Sequence, residues 1–282
     1  MKLLSSAAVR RMIVASPGKA IISSDFDQVE LRIAAALSGE PSMIDAAKKG
    51  ISLHVLTATK IWGEDFTPDQ YKRAKNINFT WVFGGGANKM AKQYGIPLQV
   101  AQEEIVNPFL AAFPTLTKYK RDQQKEVLRL ALTDTELHWY YEIRRDMFNC
   151  PDTPSGRKAR AALRLRLEAL TRRKVAWVTN PFGRRLPVEA NKAYKVVNYK
   201  IQSTAAEILK RSILDVMADP ELEPTVLLPV HDELIGEERI SKAEYTAQRY
   251  GKVMSRDFMG VPLTASGSVY GKSWGHGYMK KE

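Results

Sequence analysis

The sequence predicts an α+β fold, in which strands from both ends of the chain form one sheet and a long helical middle is inserted between them. Near the start, an apolar run at 20–24 predicts a short buried strand, and the pattern over 28–38 predicts a helix. Near the end, "TVLLPVHDELIGEE" predicts two strands joined by a tight turn at His231, Asp232 and Glu233, and "TASGSVYGKSWGHGY" predicts one more strand. Helical signals dominate the residues between these stretches.

Two helices near the start have local sequence signals. The helix at 28–38 has an apolar face, and Gly39 closes it. The second helix begins at "TPDQ", where Thr67 can cap it, Pro68 takes its first position and Gln70 completes a capping box. We expect this helix to run to about Phe83, after which three glycines end it.

Three further segments are predicted to be helical. Residues 99–132 form a helical pattern that is broken near Pro114, and 190–217 form another that stops before Pro220. Between them, residues 133–175 are strongly charged and include the basic helical stretch "GRKARAALRLRLEALTRRK". The middle of the chain is therefore predicted to be mainly helical and, in part, strongly basic.

Composition limits the class of protein. The 282 residues are 44% hydrophobic and 26% charged, which is typical of a soluble globular protein, and no apolar run approaches the roughly 18 residues that a membrane span needs. Lys and Arg outnumber Asp and Glu by 43 to 31, a net charge of +12 that favours phosphate-rich partners, although a solvated basic surface is the alternative. The single cysteine, Cys150, excludes an internal disulfide and favours a reducing, intracellular setting, where it is expected to be a surface or structural thiol rather than a nucleophile.

Two distant carboxylates are candidate metal ligands. Asp25 follows the first predicted strand, and Asp232 lies in the predicted hairpin turn. If these strands are neighbours, both side chains meet at one edge of the sheet, and paired carboxylates suit Mg²⁺. Two such ions about 4 Å apart stabilise the attacking and leaving oxygens in phosphoryl transfer. The alternative is that Asp25 only caps the next helix and Asp232 only makes the turn.

The capped helix has a candidate surface for a nucleotide. Lys75, Phe79 and Phe83 recur every four residues and so share one face of the helix. A lysine supplies a point charge for phosphate, and aromatic rings stack on bases.

Two other stretches are candidates for contact with nucleic acid. Asn198 and Gln202 stand one helical turn apart, and amides can hydrogen-bond to minor-groove acceptors that are common to all base pairs. The basic pair Arg184 and Arg185 follows "NPFG".

These stretches together resemble a known family. "DFDQVELR" resembles motif A of the family A (polymerase I-like) DNA polymerases, "KNINFTWVFGG" resembles motif B, and "VHDEL" is similar to motif C. The flanking stretches "GISLHVLTA", "NPFGRRLP", "NYKIQSTAAEILK" and "VYGKSW" also fit, and the order is colinear from about Val9 to Trp274. The resemblance covers the carboxy-terminal palm and fingers portion of that family, and a phage-type or split polymerase fits it best.

The resemblance implies an antiparallel palm sheet, built from both chain ends, with an inserted helical fingers subdomain. On this basis we expect palm at 1–40, fingers at 41–190 and palm at 191–282. The basic helical insert at about 133–175 is longer than the family's usual link.

The resemblance also implies residue roles. Asp25 and Asp232 would bind two Mg²⁺ ions, with Glu233 as a supporting carboxylate. Glu30 would exclude a ribose 2′-hydroxyl, and Phe79 would stack on the base. The implied contacts to the incoming deoxynucleotide are Gln28, Glu30, His54, Lys75, Phe79 and Phe83, and those to DNA are Arg184, Arg185, Asn198, Gln202 and His231.

The implied reaction is template-directed addition of deoxynucleotides to a primer 3′ end. The expected partners are primer-template DNA, deoxynucleoside triphosphates and a second polypeptide that supplies the thumb and exonuclease-like parts. No membrane is involved, and the expected location is the cytoplasm of a bacterial or phage-infected cell.

Two departures from the family pattern leave an alternative open. Asp27 stands where the family usually has serine, and Tyr71 stands where it has a phosphate-binding arginine. A catalytically inactive polymerase remnant that binds DNA or a replication partner is therefore the second hypothesis. An HD-type phosphohydrolase, suggested by His231 and Asp232, lacks further histidines at suitable spacing, and Glu30 argues against a single-subunit RNA polymerase.

Overall fold

The chain divides into two compact units in a computed structural model that describes residues 6–223 and 226–278. The sheet unit comprises the residues up to Leu56 and those from Thr204 onward, and the helical unit is Thr57–Ser203. The strands are β1 (Lys19–Phe26), β2 (Val175–Thr179), β3 (Arg185–Glu189), β4 (Val226–Val230), β5 (Glu233–Arg239), β6 (Arg256–Phe258), β7 (Val261–Leu263) and β8 (Ala265–Gly271).

The helices include those that the sequence predicts, except that the helix predicted over 190–217 begins only at Val196, after a 3-10 turn that is kinked at Lys192. They are α1 (Ser6–Arg11), α2 (Val29–Ser38), α3 (Pro41–Lys48), α4 (Leu53–Trp62), α5 (Pro68–Val82), α6 (Ala87–Tyr94), α7 (Leu98–Val100), α8 (Asn107–Ala112), α9 (Pro114–Ala131), α10 (Asp134–Asn149), α11 (Pro154–Thr171), α12 (Val196–Ala218) and α13 (Ala243–Met254). A π-helical segment at Ala101–Val106 precedes α8, and 3-10 turns occupy Ala190–Lys195 and Trp274–Tyr278. No helix of the described residues has both the length and the apolar composition that a membrane span requires.

The sheet unit is built on an antiparallel sheet of four strands in the order β4-β5-β1-β8. The strand near the start of the chain, β1, is central and pairs with β5 on one side and β8 on the other. The predicted α+β fold, with one antiparallel sheet from both chain ends around a helical insertion, is therefore confirmed.

Both faces of this sheet are covered. On one face, Ile21 and Ile235 pack with Trp274 in a buried apolar cluster. On the other face lies α13, whose Tyr250 is fully buried and whose Ala247 carbonyl accepts a hydrogen bond from Ser24 Oγ at 3.1 Å. Because side chains alternate along a strand, Asp25 lies on the Ile21 face of β1.

The helical unit has an aromatic core and confirms the predicted start of α5. Trp81, Phe109 and Phe113 pack with ring centroids 5.1 to 6.0 Å apart. Thr67 Oγ1 accepts from the Gln70 backbone, and the Gln70 side chain accepts from the Thr67 N–H, which completes the capping box. The basic segment forms the helical hairpin α10–α11, followed by the strand hairpin β2–β3.

The unit boundaries fall later than the predicted ends at 40 and 190. Residues after 40 belong to the sheet unit because α3 packs on α2 and β7, and because Gln28 Oε1 accepts from the Leu53 N–H at 2.9 Å. Residues after 190 belong to the helical unit because Asn180 Nδ2 donates to Ser203 Oγ at 3.2 Å. The names palm and fingers for these units stay predictions.

Candidate active site

The two candidate metal ligands converge at one edge of the sheet. Asp25 is the last but one residue of β1, and Asp232 lies in the two-residue turn between β4 and β5. Antiparallel pairing sets Asp25 opposite Glu233, and the Phe26 N–H donates to the Asp232 carbonyl at 3.3 Å. Residues that are far apart in the sequence thus place three carboxylates at the same point.

The turn that holds Asp232 has an unusual backbone conformation. His231, its first residue, has a φ of 56°. Two-residue hairpins commonly require a positive φ, and glycine supplies it most easily. A residue other than glycine there costs on the order of 1–3 kcal/mol, and such residues cluster at functional sites. The position of His231 therefore favours a functional role for its side chain.

The surroundings of Asp25 and Asp232 disfavour negative charge on both carboxyl groups. Burial, followed by the charges of Asp232, Glu233 and Asp27, raises the pKa of Asp25 to about 7. Burial also raises the pKa of Asp232, while nearby His231 and a hydrogen bond to Asp25 act in the opposite direction. In residues 6–223 and 226–278, neither Asp25 nor Asp232 has an ion-pair partner. A divalent cation between them would offset this repulsion.

Glu233 is held rigidly by three hydroxyl groups. Its side chain is buried, and it accepts hydrogen bonds from Ser23 Oγ, from the Tyr270 hydroxyl at 3.1 Å and from the Tyr278 hydroxyl at 2.9 Å. Burial and the bond to Glu233 raise the pKa of Tyr278, and the Arg10 guanidinium lies 3.9 Å from the centroid of its ring. Glu233 is thus a fixed carboxylate beside the Asp25–Asp232 pair.

The buried side chain of Arg32 holds the backbone at Asp27, the acid that departs from the family pattern. Arg32 Nε donates to the Asp27 carbonyl at 2.8 Å, and Arg32 Nη1 donates to the Pro262 carbonyl at 2.7 Å. The Asp27 side chain accepts from Thr264 Oγ1 at 3.0 Å. Asp27 is exposed, but its charge still acts on Asp25.

Three of the predicted nucleotide contacts lie in the sheet unit. Gln28 has a φ of 52°, and its side chain donates to Ser52 Oγ at 3.1 Å and accepts from the Leu53 N–H. His54 is buried in the first turn of α4, and Glu30 is half-buried in the first turn of α2. The start of α2 and the start of α4 are therefore joined through Gln28.

The other three predicted nucleotide contacts lie on α5 and its end. Lys75, Phe79 and Phe83 are exposed, and the two phenylalanine rings stack with centroids 6.3 Å apart and planes 17° apart. Tyr71, at the position of the family's arginine, stacks on Phe66 with centroids 6.4 Å apart. This side of α5 presents one cation and two aromatic rings.

The predicted amide pair on α12 has two different environments. Gln202 is exposed, whereas Asn198 is buried. Asn198 Nδ2 is among the buried side-chain atoms of the described chain that have no hydrogen-bond partner. Such a donor is costly unless a ligand satisfies it.

The loop with the predicted basic pair is organised by Asn180. Its Oδ1 accepts from the backbone N–H groups of Phe182 and Arg184 at 2.9 and 3.0 Å. Gly183 takes a φ of 80°, which lets the loop turn into β3. Arg184 and Arg185 are exposed, and the Arg185 guanidinium lies 4.9 Å from the Trp177 ring centroid.

Comparison with known proteins decides the family. Residues 2–276 match DNA polymerase family A. The chain belongs to this family. It is 31% identical over 276 residues to the DNA polymerase of Mycobacterium phage D29, 30% identical over 271 residues to that of Mycobacterium phage L5, and 30% identical over 275 residues to DNA polymerase I of Chloroflexus aurantiacus.

These relatives are longer than the matched region. The alignments cover 97, 96 and 94% of this chain but 38, 36 and 25% of the three relatives, which fits the predicted carboxy-terminal portion of a family A polymerase. The fold is also similar to the POL domain of Pol1 from M. smegmatis in complex with DNA primer-template and dNTP. The TM-score is 0.69 at 22% identity, and the match covers 98% of this chain and 44% of that one.

Within this family A chain, the acidic edge fits a magnesium site in donor type. In the described part of the chain, no group of three or more His, Cys, Asp or Glu side chains is arranged to hold a metal ion. Mg²⁺ needs fewer protein ligands than that, because it commonly takes one or two carboxylates together with phosphate oxygens. Asp25 and Asp232 match that donor set.

Sequence reasoning missed the residues that hold the site. Ser23, Tyr270 and Tyr278 fix Glu233, and Arg32 and Thr264 fix Asp27. Ser23 could have been found, since it shares a strand face with Asp25. Nothing in the sequence near Glu233 indicates the two tyrosines.

Proposed function

We propose that this chain is the catalytic core of a template-directed DNA polymerase. It would add deoxynucleotides to a primer 3′ end by two-metal phosphoryl transfer, with release of pyrophosphate. The observation that carries this proposal is the convergence of Asp25 and Asp232 at the β1–β5 edge. Burial and the charge of Asp232 raise the pKa of Asp25, and no cation pairs with either carboxylate in the described residues. Family membership supplies the reaction class.

Asp25 and Asp232 are the proposed ligands of two Mg²⁺ ions. Bound ions at such a site stabilise the attacking and leaving oxygens of the displacement. Glu233 would not need to move, because three hydroxyl groups already hold it. Its role would be to keep the local potential negative beside the two ligands.

The proposed nucleotide contacts come from the family motifs. Those on α5 and at its end have exposed side chains, which a nucleotide could reach. Lys75 is solvent-accessible and can neutralise phosphate charge, and Phe79 can stack on the base. Glu30 is the proposed steric gate against a ribose 2′-hydroxyl. It lies in the first turn of α2, two residues after Gln28, and His54 lies in the first turn of α4. Phe83 extends the aromatic face beyond Phe79.

The DNA contacts are proposed for Asn198, Gln202, His231, Arg184 and Arg185. Asn198 has the strongest physical support, because its buried Nδ2 donor lacks a partner in the described chain and a minor-groove acceptor would satisfy it. The two arginines are exposed at a well-ordered loop and suit backbone phosphates.

Two further expectations stay predictions. One is a second polypeptide with thumb and exonuclease-like parts. Its co-purification with this chain and with polymerase activity would reveal it. The other is a location in the cytoplasm of a bacterial or phage-infected cell.

The test is single-nucleotide incorporation on a primed template with Mg²⁺. We expect the parent chain to extend the primer and Asp232→Ala to fail. Asp45→Asn is the matched control in the same unit, since Asp45 is exposed and pairs only with Lys49 among the described residues. Equal signals from the parent and Asp232→Ala would instead favour the inactive remnant. A parallel assay with ribonucleotides tests the proposed role of Glu30. We expect Glu30→Ala to incorporate ribonucleotides and the parent chain to exclude them.

A further inference from the structure

A large basic groove lies within the helical unit, between the basic insert and the motif stretches that follow it. It has a volume of about 1650 Å³. Its walls come from the hairpin α10–α11, from β3 and from the 3-10 turn at Ala190–Lys195.

Four arginines give this groove its charge. Arg144, Arg164, Arg172 and Arg173 line it and are exposed. None of the four makes an ion pair or a side-chain hydrogen bond among the described residues. The groove also contains Lys192, which pairs with the lining residue Glu189 at 2.7 Å, and one further acid, Glu168, so the positive charge is in excess.

Three of the other four arginines of α10 and α11 have structural partners. Arg145 pairs with Glu142, Arg157 pairs with Asp152 at 2.9 Å, and Arg160 donates to the carbonyl of Cys150 at 2.6 Å. The hairpin is therefore stabilised without the groove arginines. A set of cations that the fold does not use is available for an external polyanion.

Three tyrosines line the same groove. They are Tyr140, Tyr194 and Tyr199, of which Tyr194 is 46% exposed. Arginines interleaved with aromatic rings are typical of surfaces that bind single strands, because unpaired bases stack while the backbone follows the positive charge. Bases within a duplex are not available for such stacking.

We propose that this groove binds single-stranded nucleic acid through phosphate contacts to the four arginines and base stacking on the tyrosines. The groove lies outside the proposed catalytic residues, so this binding would not require the polymerisation reaction. An acidic polypeptide would meet the same arginines but would gain nothing from the stacking surface.

The test measures binding of fluorescent dT and rU oligonucleotides of about 12 nucleotides to the full chain in EDTA, over a range of salt. The groove variant is Arg144→Gln/Arg164→Gln/Arg172→Gln. The matched control is Arg129→Gln/Lys158→Gln/Arg166→Gln, three exposed cations of the same unit that do not line the groove. Both variants lose the same net charge.

We expect the groove variant to bind at least about tenfold more weakly at low salt and to lower the salt slope by about 2, at about 0.7 for each lost phosphate contact. The control should change both quantities much less. Tyr140→Leu/Tyr199→Leu should weaken binding about fivefold or more with an unchanged salt slope. Circular dichroism of each variant verifies that the hairpin is folded.

Three results would overturn the inference. They are equal losses in the two arginine variants, a loss of duplex binding in the groove variant as large as its loss of single-strand binding, and competition by poly-glutamate as strong as that by oligonucleotide. The binding assay contains EDTA and needs no incorporation of nucleotide, so failure of the polymerase proposal and failure of this one are distinguishable.

Discussion

Asp25 in the sheet unit and Lys120 in the helical unit both lie where their charge is disfavoured, but for different reasons. The pKa of Asp25 is raised to about 7 by burial and by three neighbouring carboxylates. The pKa of Lys120 is lowered to about 8 by burial alone. Lys120 lies 4.6 Å from the Trp81 ring centroid, a contact that favours its charged form.

The two causes distinguish a candidate cation-binding site at Asp25 from a lysine at position 120 that is only buried by packing. At Asp25, like charges lie close together in addition to the burial, and a bound proton or an external cation would relieve their repulsion. At Lys120, a single cation has lost water but has gained an aromatic face. A shifted pKa is informative about function when a cluster of like charges adds to burial, and much less so when burial is its sole cause.

The largest effect is expected for Asp25→Asn. Loss of a metal ligand should reduce nucleotide incorporation by about 10³-fold or more. The same change removes repulsion from Asp232, Glu233 and Asp27, so the melting temperature in EDTA should rise by about 2 °C. Activity assays and thermal scans measure the two effects.

A metal titration provides the control for that prediction. Mg²⁺ or Mn²⁺ should raise the melting temperature of the parent chain and leave that of Asp25→Asn almost unchanged. A variant that loses activity and also melts lower in EDTA would show that Asp25 stabilises the fold, against the distinction drawn here.

The next effect concerns an exposed lysine of the helical unit. Lys75→Gln should raise the KM for the deoxynucleotide by about 10- to 100-fold, because one charge-assisted phosphate contact is lost. Its melting temperature should not change, since Lys75 is exposed. Lys72→Gln is the control on the same helix, and an equal rise in KM for both would assign the effect to bulk charge.

A smaller effect is expected from the hydroxyl groups around Glu233. Tyr278→Phe leaves the buried carboxylate one donor short, which should lower incorporation about tenfold and lower the melting temperature by a few degrees. Tyr245→Phe is the control, because its hydroxyl bonds Glu221 at an exposed site. Unchanged activity in Tyr278→Phe would mean that the position of Glu233 does not matter.

The smallest effect is a pH dependence at Lys120. The folded pKa of about 8 lies below the ordinary 10.5, so the unfolded chain binds more protons between these values and stability should rise with pH there. The penalty is fully present below about pH 8. Lys120→Met should therefore gain most relative to the parent at pH 7 and lose that advantage towards pH 10.5.

Exposed Lys118→Met serves as the control for Lys120, because Lys118 is paired with Asp122 at the surface. We expect no comparable pH trend in that variant. A flat difference between Lys120→Met and the parent, from pH 7 to 10, would contradict the assignment of burial as the cause.

Features encoded by neighbouring residues could be predicted from the sequence. The capping box at Thr67 and the closing glycine Gly39, with a φ of 70°, are confirmed. The break before Pro114 and the hairpin turn at His231 are confirmed as well, although Glu233 already belongs to β5. Each is decided by a few residues in a row.

Features that depend on distant residues were missed or left conditional. The β2–β3 and β6–β7 hairpins have strands of only three to five residues, and the hydroxyls around Glu233 come from three separate segments. The helix α13 is different, because Ala243, Ala247, Tyr250 and Met254 form a readable helical stripe that the sequence analysis did not use. The convergence of Asp25 and Asp232 could be predicted only on the condition that their two strands are neighbours in the sheet.

The pairing of β1 with β5 has a consequence for assembly. Ser23 and Glu233 are 210 positions apart, and the whole helical unit lies between them. Contacts between distant positions form late, and domains fold in the order in which the ribosome releases them. We expect the nascent chain to complete its helical unit first. The acidic cluster would come together only when the final strands arrive, so a truncated product would be unable to capture magnesium.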